Sequence, residues 1–231
     1  MKKLLLLSNS TNPGEDYLDW PKDYLADFMS GEFKNIVFVP YAGITISYDE
    51  YTERLNGALG KIGLKATGIH EATDPVKAIQ NADAIFVGGG NTFELLSQLY
   101  KNKLVEPIRE KLNSGTPYVG WSAGSNMACP TVKTTNDMPI TFPPSFDALS
   151  LIPFQINPHY TEATLPNHGG ETRKMRLAEY LEINQDSTVV CLPEGTLLHV
   201  EGETMVYKGK KEGKVLTYGN EERILLDQDI V

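Results

Sequence analysis

Gly120-Trp121-Ser122-Ala123-Gly124 is the first place in the chain where residue types and spacing could do covalent chemistry. Glycines on either side of a serine fit a sharp strand-to-helix turn, because residues without a Cβ let the backbone crowd together and push the hydroxyl outward. Tyr118-Val119 before it reads as a strand and Ser125 to Ala128 after it as a helix, the setting of a nucleophile elbow. The five-residue pattern is unspecific by itself, and its position gives it weight. In that setting the amide of Ala123 is free to stabilise an oxyanion. Gly88-Gly89-Gly90-Asn91-Thr92-Phe93-Glu94 also follows an apolar run and opens a helix, with Asn91 as N-cap and Glu94 three residues on. It has neither the Walker spacing nor G-x-G-x-x-G. Gly89 or Gly90 is therefore expected to supply a second oxyanion donor, and Asn91 to sit against the substrate. The bland alternatives are a tight packed turn at Ser122 and a glycine-rich turn at Gly88.

A serine nucleophile needs an imidazole within hydrogen-bond reach, and the chain offers His70, His159, His168 and His199. His159 follows Phe154-Gln155-Ile156-Asn157-Pro158, a strand ending in a proline turn, which would bring it to the same sheet edge as Ser122. His168, in Pro166-Asn167-His168-Gly169-Gly170, is its rival. A carboxylate must then hold the imidazole tautomer, and Asp137 and Glu194 both end segments at a suitable edge. Their alternatives are an Asx turn before Pro139 and a turn carboxylate after a strand.

The elements that must position these groups follow from the spacing of apolar residues. Short apolar runs at 3–7, 35–39, 64–69, 84–87, 118–120 and 188–192 read as buried parallel strands. Amphipathic stretches at 48–62, 74–81, 92–113 and 171–183 read as crossover helices. Strand and helix in alternation predict an α/β three-layer sandwich with a mostly parallel central sheet, whose ligands gather beyond the carboxyl ends of the strands. Alternation at 199–206 and 213–218, around Gly202 and Gly209, predicts antiparallel hairpins near the C-terminus.

With 231 residues, 41% of them apolar, the chain can bury one proper core, and a single domain over 1–231 is expected. The net charge of −9 argues against a nucleic-acid partner, since phosphate binding depends on basic patches. Leu4-Leu5-Leu6-Leu7 breaks at Ser8-Asn9-Ser10, and no run reaches the length of a membrane span. Cys129 and Cys191 suit a reducing cytoplasm as well as one disulfide, and cytoplasm is the simpler expectation. The histidines and cysteines form neither HExxH nor CxxC, so no metal and no cofactor is expected.

Taken together, Leu4 to Thr11, Gly88 to Phe93, Gly120 to Gly124, Thr134-Thr135-Asn136-Asp137-Met138-Pro139, Gln155 to His159 and Leu192-Pro193-Glu194-Gly195 resemble the aspartyl dipeptidases called peptidase E. The resemblance runs from the first strand to at least Gly195 and is weaker over the last forty residues. It implies a glutamine-amidotransferase-like, flavodoxin-like sandwich, a serine in place of that fold's usual cysteine, and hydrolysis of Asp-X dipeptides without a cofactor. It also implies Ser122 as nucleophile and His159 as base, with either Asp137 or Glu194 as third member. The expected partner is a small acidic dipeptide, and the expected assembly a monomer or weak homodimer.

An acidic enzyme that accepts an acidic side chain needs a local cation. In the helix after Gly170, Leu177, Tyr180 and Leu181 define the inward stripe, and at about 100° per residue Arg173 falls close to it. Its planar guanidinium could grip a carboxylate by two parallel hydrogen bonds. Two other functions compete: a cyanophycinase-like exopeptidase, and a non-catalytic α/β module that binds a small anion at Gly88 to Asn91.

Overall fold

The computed structural model describes residues 1–164, 167 and 169–231, so the rival histidine His168 lies outside the described residues. Eleven strands are arranged in two sheets among the described residues: β1 (Lys3–Leu7), β2 (Ile36–Val39), β3 (Ala66–Gly68), β4 (Ala84–Val87), β5 (Tyr118–Trp121), β6 (Gln155–Pro158), β7 (Thr188–Leu192), β8 (Thr196–Glu201), β9 (Thr204–Gly209), β10 (Gly213–Thr217) and β11 (Arg223–Leu225). The larger sheet has the order β3-β2-β4-β5-β1-β8-β9, parallel from β3 to β1 and closed by the antiparallel hairpin of β8 and β9. The smaller has the order β11-β10-β7-β6, with β6 and β7 parallel and the others antiparallel. The predicted parallel sheet and C-terminal hairpins are thus present. The run at 188–192, however, is not part of the central sheet: it pairs with β6 and β10 in a second one.

The helices are α1 (Lys22–Phe28), α2 (Tyr48–Leu59), α3 (Pro75–Gln80), α4 (Thr92–Lys101), α5 (Val105–Asn113), α6 (Ala123–Met127) and α7 (Arg173–Ile183). Ser47 and Glu50 form a capping box at α2, and Asp74 caps α3 with Pro75 at its first position. The single helix expected over 92–113 is two. Pro107 has no N–H to donate one turn back, so the chain breaks at Lys103, with φ of 56°, and restarts with Pro107 in the first turn of α5. Alternation along the strands divides the core. Leu4, Leu6, Val37, Val39, Ile85 and Val87 meet α4 and α5 on one face, while Leu5, Leu7, Phe38, Phe86 and Trp121 meet α1 and α2 on the other. Val190 and Leu192 of β7 join the first of these cores. Val189 and Cys191 point the other way, under Leu177 and Leu181 of α7. Cys129 and Cys191 are therefore free thiols in different cores.

Candidate active site

Ser122 stands between β5 and α6 with φ of 52° and ψ of −111°, a left-handed conformation that costs a non-glycine residue on the order of 1–3 kcal/mol. The flanking glycines make this turn possible. A methyl group on Gly120 would lie 2.5 Å from the Gly124 carbonyl oxygen, and one on Gly124 would lie 2.2 Å from the Val87 carbonyl oxygen. Hydrogen bonds hold the bend from both sides. The Ser122 amide donates to Leu7 O at 3.1 Å, and the buried Ser125 hydroxyl donates to Leu7 O and Gly120 O at 2.7 and 2.9 Å. The side chain of Ser122 stays part-exposed.

The glycine loop comes against this bend. A methyl on Gly89 would be 3.1 Å from Ser122 Cβ, and one on Gly90, whose φ is 135°, would be 2.1 Å from Ala42 O. Tyr51 on α2 donates its hydroxyl to Gly89 O at 2.9 Å and receives the Trp121 indole N–H at 3.2 Å, which fixes the peptide plane. The amides of Gly89, Gly90 and Ala123 have no acceptor among the described residues, and Gly89 and Gly90 line one cleft with Ser122.

His159 follows β6, also left-handed with φ of 52°. Its Nε2 lies 3.0 Å from Ser122 Oγ and its Nδ1 lies 2.8 Å from Glu194 Oε1, the carboxylate that follows β7. Asp137 forms no hydrogen bond with the imidazole. Its Oδ2 accepts from the amide and the hydroxyl of Thr92 at 2.7 and 2.6 Å, so it caps α4 instead of orienting His159. A serine hydroxyl, an imidazole with a carboxylate behind it, and free amides alongside can together pass a proton and hold a developing oxyanion.

Sequence comparisons agree with this geometry. The profile described as Peptidase family S51 matches residues 4–207. A relative named Peptidase E from Nostoc sp. is 49% identical over 96% of this chain and 92% of its own. Another of that name from Haemophilus influenzae is 46% identical over 94% of this chain and 100% of its own. The chain belongs to peptidase family S51. It is a serine-type peptidase, and its likeness to the Peptidase E relatives extends through most of the C-terminal region that looked divergent. The fold agrees with the crystal structure of a peptidase from an acI-B1 Actinobacterium, with a TM-score of 0.74 at 17% identity over 100% of this chain and 96% of that one.

In this S51 peptidase, Ser122, Asp137 and His159 lie on the wall between two clefts of about 790 and 560 Å³. The larger also contains Glu194 and Arg173. Arg173 is half-buried and forms no ion pair among the described residues. Burial and the neighbouring Arg176 lower its proton affinity, while the charges of Asp137 and Glu194 oppose them. It remains a cation, since a guanidinium does not lose its proton in proteins. Asn91 is less available than expected: its Oδ1 accepts from the Glu94 amide at 3.1 Å and its Nδ2 donates to Met138 O at 2.9 Å, so it anchors the glycine loop. Glu94 pairs with Gln98 instead of closing a capping box. Neither His70, bonded to Asp49, nor His199, on β8 against Phe28, is near Ser122.

Ser8 and Asn9 were not singled out from sequence as site residues, yet they tie the two sheets together. Ser8 Oγ donates to Leu192 O at 2.7 Å and accepts from the His159 amide at 2.9 Å, joining the end of β1 to those of β6 and β7. Asn9 Oδ1 accepts from the Gly195 amide at 2.8 Å and so holds the turn that carries Glu194. Their only sequence signal was membership of the Leu4 to Thr11 segment.

Proposed function

We propose that this S51 peptidase hydrolyses dipeptides with an N-terminal aspartate through an acyl-enzyme on Ser122. The observation that carries the reading is the relay of 3.0 Å from Ser122 Oγ to His159 Nε2 and 2.8 Å from His159 Nδ1 to Glu194. His159 takes the proton as Ser122 Oγ attacks the peptide carbonyl, and Glu194 stabilises the imidazolium. Amides of Ala123 and of Gly89 or Gly90 receive the oxyanion. The C–N bond then breaks, His159 returns the proton to the departing amine, and a water deprotonated by the same imidazole releases aspartate from Ser122.

The half-buried Arg173, without an ion pair among the described residues and in the cleft that contains Ser122, supports an acidic side chain as the group recognised there. Asp137 shares that cleft, and its Oδ1 makes no hydrogen bond among the described residues, so it can receive the ammonium of the same aspartate. The names of the relatives favour this reading over the polymer exopeptidase and over the anion-binding module. Two unpaired buried thiols support a reducing compartment.

Rates on Asp-Leu, Glu-Leu, Leu-Leu and β-Asp-Leu, for wild type, Ser122→Ala and Arg173→Lys, test the reading. Asp-Leu should be cleaved fastest and Ser122→Ala should be inert. Arg173→Lys should lower kcat/KM for Asp-Leu about tenfold or more, the worth of one lost charge-assisted hydrogen bond. Equal cleavage of Leu-Leu would remove aspartate from the proposal, and unchanged kinetics in Arg173→Lys would remove that residue from the pocket.

A further inference from the structure

The smaller cleft has a cation of its own. Arg54 is the one lysine or arginine among the described residues of its lining, which also includes Ser122, Gly89 and Gly90. It lies on the face of α2 that also presents Tyr51, three residues earlier, whose hydroxyl holds Gly89 O. The guanidinium sits 4.4 Å from the centre of the Tyr17 ring, which also lines this cleft, and that contact limits the rotamers an exposed arginine would otherwise sample. In a chain of net charge −9, Arg54 enters no ion pair among the described residues. Burial raises the hydroxyls of Tyr17 and Tyr51, and the Arg54 charge pulls both back, so the charge is felt inside the cleft as well as at its rim.

An Asp-X dipeptide has two carboxylates, one on each side of the scissile bond. Arg173 lies on one side of Ser122, and Arg54 is the remaining cation on the other. We propose that Arg54 receives the free C-terminal carboxylate of the leaving residue, which makes the enzyme a dipeptidase. The inference rests on the acyl-transfer reading of Ser122 given above. That carboxylate is three bonds beyond the scissile carbonyl, at most about 4 Å away, so it stays within the cleft that Ser122 and Arg54 both line. In a longer peptide the same position holds a neutral amide, which forfeits the charge-assisted pair, and the third residue has to pass the guanidinium.

The test compares kcat/KM for Asp-Leu and Asp-Leu amide in wild type, Arg54→Gln and Arg54→Lys. Wild type should prefer the free acid by about tenfold or more, as the loss of one charged hydrogen bond implies. Arg54→Gln should bring the ratio to about one by slowing Asp-Leu alone, and Arg54→Lys should retain part of the preference. Because the ratio is taken on one sample, a partly unfolded variant does not imitate the result. A wild type indifferent to the amide, or an Arg54→Gln that keeps the preference, overturns the proposal. Failure of the underlying reading looks different: wild type then cleaves neither substrate, or Ser122→Ala cleaves both.

Discussion

Ser122 leaves the central sheet from β5, a strand buried on both faces, whereas His159 and Glu194 leave the smaller sheet, from the ends of β6 and β7. The serine is positioned within its own sheet: backbone packs against backbone at Gly120 and Gly124, the latter against Val87 of β4, and hydrogen bonds run to the end of β1, 118 residues away in sequence. The imidazole depends on both sheets, through a Ser8 hydroxyl after β1 and a carboxylate after β7. One part of the site is thus a turn built within one sheet, and the other a product of how two sheets meet.

The sharpest way to break this comparison is to disable the second sheet's contribution while leaving the elbow alone. Glu194→Gln should lower kcat about 10³- to 10⁴-fold, the penalty for an imidazole whose orienting carboxylate becomes an amide. Asp137→Asn, which changes a group bound to Thr92 and not to His159, should act mainly on KM in the same steady-state assay. Equal losses in kcat at both positions would erase the distinction.

Next in size is damage to the elbow. Gly124→Ala places a methyl 2.2 Å from Val87 O, backbone against backbone. It should destabilise the fold by on the order of 3 kcal/mol in denaturant titration. An unchanged midpoint would mean that the turn yields easily. Smaller again is the seam between the sheets. Ser8→Ala removes the acceptor of the His159 amide and a donor to Leu192 O, and should cost about 2 kcal/mol with a roughly tenfold fall in kcat. Full activity there would show that Pro158 and Leu192 suffice to hold the imidazole.

The same division decides what could be read from the sequence. The elbow at Ser122, the glycine loop, the N-cap at Asn91 and the parallel strands were legible, because each is a local pattern in the sequence. The second sheet was not, since β6 and β7 look like any buried strands until their partner is known. Asp137 and Glu194 could not be told apart for the same reason: both are turn carboxylates, and only three-dimensional packing sends one to Thr92 and the other to His159. The break at Lys103 did leave a trace, in Pro107 four residues on.

Labelling with a fluorophosphonate, followed by peptide mapping, tests the joint work of the two sheets most directly. Wild type should take up one equivalent, on Ser122; His159→Gln and Glu194→Gln should label far more slowly, and Asp137→Asn at close to the wild-type rate. Modification of another residue, or an unlabelled Ser122 in protein that still cleaves Asp-Leu, would contradict the account.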